Sequence, residues 1–185
     1  MKNPILSVKD MVLAALFAAL TFIMGFISIP LPFSPVPITG QTFAVMLAGN
    51  LLNPLTAFFS LFVFDLLGAV GIPVFAGLRG GLGILLGPTG GYLIGFPIAA
   101  LVISLLLKRR KLNFITLMSV NIIGLIIIYL IGVSYLSIIT GMNLNKALIA
   151  GVYPFIPGDL IKIILTSLFA LKLKPAISKY MTSRS

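Results

Sequence analysis

Residues 112–140 read LNFITLMSVNIIGLIIIYLIGVSYLSIIT. No charged residue interrupts this run. It exceeds the about 20 apolar residues that a helix needs to cross the hydrocarbon core of a bilayer. Lys108-Arg109-Arg110-Lys111 immediately precede it. An apolar span with a basic cluster at one edge places that edge on the cytoplasmic side.

The rest of the chain follows the same pattern. Of 185 residues, 59% are hydrophobic and 9% are charged, against about 25% charged in a typical soluble domain. Mean hydropathy is +1.21. So few charges cannot cover a soluble surface. The length allows about six helical crossings joined by short loops, in a single domain. The expected fold is therefore an all-α integral membrane protein with helices near 9–29, 41–52, 54–70, 92–107, 112–140 and 159–173. Residues 11–29 are long for a signal peptide and lack a small-residue cleavage site, so they read as a retained first helix.

Prolines and glycines mark the connections. Pro30, Pro32, Pro35 and Pro37 exclude a helix over 29–40. The same stretch keeps Leu31, Phe33, Val36 and Ile38, which points to an ordered loop. Residues 68–91 are glycine-rich yet apolar, as a packed or re-entrant connection would be. Residues 141–157 carry Lys146 and the Pro154/Pro157 pair and leave room for a short helix.

With the N-terminus inside, Lys2, Lys9, the 108–111 cluster, Lys172, Lys174, Lys179 and Arg184 fall on the cytoplasmic side. Only Arg79, Lys146 and Lys162 lie outside. Both termini are then cytoplasmic and the three long connections are external. The net charge of +10 reflects this asymmetry. No basic stripe interleaved with aromatics is present, so a nucleic-acid partner is not expected.

Chemistry is confined to a few residues. Cysteine and histidine are absent, which removes the usual nucleophile, base and metal ligands. Neither an enzyme nor a metal site is expected. No Walker A loop is present, so the chain cannot hydrolyse ATP by that route. The three acids are Asp10, Asp65 and Asp159. Asp10 suits the N-terminus of the first helix. Asp65 lies inside the third helix and needs a partner, such as Arg79, or a proton.

Asp159 and Lys162 stand three residues apart and share a helical face at the outer end of the last helix. A charge deep in a bilayer costs about 2.5–3.5 kcal/mol on insertion scales and marks a candidate functional site. The pair suits a small solute with a cyclic amide or urea and an acid tail. A cap with a snorkelling lysine is the structural alternative. Arg79 could clamp a carboxylate. Asn121 is either interhelical glue or a ligand contact. Gln41 and Tyr92 flank the outer loops as caps, interface residues or ligand groups. Ala14, Ala15, Ala18 and Ala19 offer small-residue surfaces on the first helix for a partner.

Four segments resemble the BioY family: residues 35–42 (PVPITGQT), 71–77 (GIPVFAG), 87–92 (GPTGGY) and 154–162 (PFIPGDLIK). They occur in order, and the resemblance spans residues 9–172. It implies the S-component fold and a biotin-capturing subunit of an energy-coupling factor (ECF) importer in the cell membrane. Biotin would be the transported ligand, with no cofactor. The partners implied are a transmembrane coupling subunit and two ATPases, docked through Ala14, Ala15, Ala18 and Ala19. Asp159 and Lys162 match the segment associated with the biotin head group, and 29–40 would be a lid. The residues alone also permit a stand-alone secondary transporter of a small organic solute.

Overall fold

The computed structural model describes residues 6–182; Lys2 and Arg184 of the orientation argument lie outside them. Helix α1 spans Val8–Gly25. A reciprocal cap starts it: Ser7 Oγ accepts from the Asp10 amide at 3.2 Å, and Asp10 Oδ2 accepts from the Ser7 amide at 3.0 Å. This satisfies two orphan donors of the first turn.

The helix stops at Gly25, short of the expected residue 29, because the chain turns into a β-hairpin. Strands β1 (Ser28–Leu31) and β2 (Ser34–Thr39) pair antiparallel, with Ser28 opposite Thr39 and Ile29 opposite Ile38. The all-α expectation is corrected here. The prolines that forbid a helix are tolerated on the edges of a two-stranded ribbon.

Helix α2 spans Gln41–Leu51 and α3 spans Pro54–Ala69, with its proline in the first turn, where a missing N–H costs nothing. The glycine-rich connection contains a tight turn, Phe75 paired with Arg79, and a single helical turn α4, Leu82–Leu85. Helix α5 spans Gly90–Leu107 and α6 spans Phe114–Thr140, ended by Gly141 at φ 69°. Gly141 takes the left-handed conformation that glycine adopts without a Cβ penalty. Helix α7 spans Leu144–Gly151 and α8 spans Ile156–Thr182. A bend of 53° separates these last two. Helix α8 is longer than the expected 159–173 and runs on through Pro175.

The described residues thus form eight helices and one hairpin. Helices α1, α5 and α6 are long and apolar enough to cross a membrane, and the bent α7–α8 pair makes up to four such spans. Helix α5 is central, packing on α2, α3 and α6, while α8 packs on α2 and α6. Helix α2 is buried nearly all round, with Ala44, Val45, Met46 and Ala48 fully enclosed. Large apolar side chains cover the outside, including Leu16, Ile115, Leu130 and Ile138. Such a surface is suited to lipid, and the chain is a multi-pass membrane protein.

Helix α1 shows what its alanines do. Ala14 and Ala18 are buried in the bundle, whereas Ala15 and Ala19 are exposed. Of the four alanines expected to face a partner, only Ala15 and Ala19 are open to one. The inner alanines let α1 approach its neighbours α2 and α3.

Candidate functional site

The β-hairpin, the Phe75–Arg79 turn, the starts of α2, α5 and α8 and the middle of α6 enclose one cleft. It is walled by apolar groups, among them Val36, Phe75, Leu93, Phe96, Ile128 and Phe155. A few polar groups converge within it, the usual composition of a small-molecule site. Water can reach about 60 Å³ of it, so a larger guest must spread the surrounding side chains.

Asp159 lies in the first turn of α8, where the helix dipole favours an anion. Its side chain is 3% exposed and that of Lys162 16%. Lys162 Nζ donates to Asp159 Oδ1 at 2.7 Å, to Thr42 Oγ1 at 3.1 Å and to the Thr39 carbonyl at 2.6 Å. All three ammonium donors are engaged. The Thr42 hydroxyl donates to Asp159 Oδ1 at 2.9 Å, and Tyr129 donates to Asp159 Oδ2. The carboxylate thus accepts from three side chains on three helices. This satisfaction is what allows a buried charge pair to persist.

The hairpin is tied to the same network. Lys162 holds its last residue, Thr39, and Ser34 Oγ donates to the Ala150 carbonyl at 2.7 Å. Gln41, only 2% exposed, lines the cleft, and its amide nitrogen, which lies close to Gly25 of α1, has no hydrogen-bond partner. A buried unpaired donor is costly, so this group is free to serve a guest.

Tyr92 forms another wall. Its hydroxyl donates to the Gly151 carbonyl at 2.9 Å. Gly132 and Gly151 make room for it: an added Cβ would lie 2.5 Å from the ring and 2.1 Å from the oxygen, respectively. Arg79 sits at the rim, exposed, with Nε donating to the Ala76 carbonyl at 3.1 Å.

Five of the six expected ligand residues, Asp159, Lys162, Arg79, Tyr92 and Gln41, therefore line one cleft. Asn121 does not. It is fully buried between α6 and α8, donating to Ser167 Oγ at 3.3 Å, the interhelical role rather than the ligand role. Lys162 is paired with Asp159, and neither Arg79 nor Asp65 takes part in that contact. Arg79 is no partner for Asp65, whose Oδ1 is buried and unpaired. Sequence reading missed Tyr129 and the role of Thr42. Tyrosine in a membrane helix carries no local mark of function, although its place in an otherwise aliphatic run, Ile126 to Ile131, was a signal.

The family model described as "BioY family" matches residues 1–179. A protein of Pyrococcus horikoshii named "Probable biotin transporter BioY" is 47% identical over 154 residues, covering 83% of this chain and 89% of that one. The "Biotin transporter BioY" of Thermotoga maritima is 40% identical, covering 90% of this chain and 96% of its own length. A crystal structure of "the S-component for biotin from an ECF-type ABC transporter" superposes with a TM-score of 0.84 at 36% identity, over 91% of this chain and 92% of that one. The family model covers nearly the whole chain and the relatives match along most of their length, so the chain belongs to the BioY family.

Proposed function

We propose that the protein is the biotin-capturing S component of an ATP-driven ECF importer. It would lie in the cell membrane as about six crossings with both termini cytoplasmic. The short helix α2 then counts as a crossing packed inside protein, where length is less constrained than against lipid, and α3 as a short crossing with one exposed apolar side, Phe62, Val63 and Leu66. Energy is supplied by a transmembrane coupling subunit and its two ATPases, which the exposed Ala15/Ala19 face of α1 would meet.

The observation that carries this reading is the convergence of Gln41, Asp159, Lys162, Thr42 and Tyr129 on one apolar cleft beneath the hairpin. A cyclic urea presents one carbonyl acceptor and two N–H donors. The Gln41 amide donates to the carbonyl, and Asp159 accepts from a ring N–H. The aromatic walls take the apolar ring and chain, and Arg79 at the rim takes the acid. No bond is made or broken, so no catalytic group is required.

Isothermal titration of the purified full chain in detergent tests this. One biotin per chain with a Kd below about 1 μM is expected. Absence of heat and of competition by biotin for a labelled analogue would sink the reading.

A further inference from the structure

Beside the cleft lies a second, outward-facing groove between the hairpin and the Phe75–Arg79 turn. Pro37, Ala76 and Arg79 wall both. Beyond them the groove runs past Ser28, Pro30 and Leu78. Water reaches about 520 Å³ of it, against about 60 Å³ in the cleft. The larger figure is in the range of ligand pockets, roughly 300–1,000 Å³.

The groove is built from ordered parts. Phe75 and Arg79 exchange backbone hydrogen bonds at 2.9 and 3.3 Å, which fixes the turn between them. Phe75 points inward against Phe64, and Arg79 points outward. At the tip Leu78 is held at φ 57° and is 55% exposed. A left-handed leucine is uncommon. Here it places an apolar side chain along the groove at a strained position. The opposite wall is the hairpin, anchored by the Ser34–Ala150 bond.

We infer that this groove is a subsite for guests extended beyond their carboxyl: a ureido-ring acid amide-linked to lysine or to a short peptide. The inference rests on the biotin reading of the inner cleft. Arg79 stands where the two spaces meet, so the acid end of an inner guest lies at the groove's mouth. Converting that acid to an amide removes its charge. It keeps a carbonyl that accepts from the guanidinium, while the added chain lies on Leu78 and the prolines. The loss of the charge-assisted bond is thus offset by new apolar contact.

The test is titration of the full chain in detergent with biotin, with Nε-biotinyl-lysine and with a biotinyl tripeptide. Both extended probes should bind within about tenfold of biotin, a difference of about 1.4 kcal/mol or less. Ser28→Trp fills the groove away from the cleft. It should weaken the tripeptide at least about tenfold and leave biotin within about twofold. Should that variant misfold, Leu78→Gly removes the wall and its strain. It should weaken the tripeptide about threefold or more with biotin unchanged. Extended probes bound at least about 100-fold more weakly than biotin by the wild type would overturn the subsite. So would equal effects of the folded variants on biotin and tripeptide. Failure of biotin itself to bind would instead strike the reading of the inner cleft.

Discussion

Tyr129 of α6 donates its hydroxyl proton to Asp159 of α8, across 30 residues of chain. The bond ties the middle of the longest apolar helix to the first turn of the last one. It also occupies the carboxylate oxygen that Lys162 and Thr42 leave free. Removing the hydroxyl leaves that oxygen short of a donor inside an apolar cleft. Tyr129→Phe is expected to fold and to weaken biotin about tenfold or more, since hydrogen bonds to charged groups contribute about 1.5–3 kcal/mol. Titration calorimetry reads this directly, and an unchanged Kd would remove Tyr129 from the site.

The Asp159–Lys162 pair makes a sharper claim about stability. Asp159→Asn or Lys162→Met alone leaves a buried charge without its counter-ion, and each should cost about 3–5 kcal/mol. The double change Asp159→Leu with Lys162→Met removes both charges and should regain most of that stability. Biotin binding should not return. Thermal unfolding in detergent, with and without biotin, separates the two effects. Additive destabilisation in the double variant would mean that the two side chains do not act as a pair.

Tyr92 is positioned by what its glycine neighbours lack. A Cβ on residue 151 would lie 2.1 Å from the hydroxyl oxygen, so Gly151→Ala must push the ring toward the cleft. Biotin affinity should fall more in Gly151→Ala than in Tyr92→Phe, which loses only the bond to the Gly151 carbonyl, about 0.5–1.5 kcal/mol. The reverse order in calorimetry would show that the hydroxyl itself contacts the guest.

The two alanine faces of α1 should behave oppositely. Ala15→Trp and Ala19→Trp point outward and are expected to leave folding and biotin binding intact while lowering uptake by the assembled importer. Ala14→Trp forces a large ring into a packed interface and should destabilise the chain by about 1–3 kcal/mol or more. Uptake assays in whole cells, set beside thermal stability of the purified chain, decide between docking and packing. Normal uptake by both outward variants would move the partner's surface elsewhere.

Hydropathy and punctuation determined the parts of this fold that are local. The 112–140 run, the Asn53-Pro54 break and the proline-rich 29–40 segment each declare themselves without reference to the rest of the chain. Bilayer thickness sets helix length, and proline removes a donor wherever it stands. The Asp159/Lys162 spacing is local too, and it marked the outer end of the last helix. Only the tertiary structure decided the remainder. Thr42 reaches Asp159 across 117 residues, Asn121 turns to Ser167 instead of the cleft, and Ala14 and Ala18 face inward while Ala15 and Ala19 face out. In a soluble helix, polar residues on one face reveal which side packs. In lipid both sides are apolar, so that signal disappears, and the facing of each helix is set by close packing and a few buried hydrogen bonds.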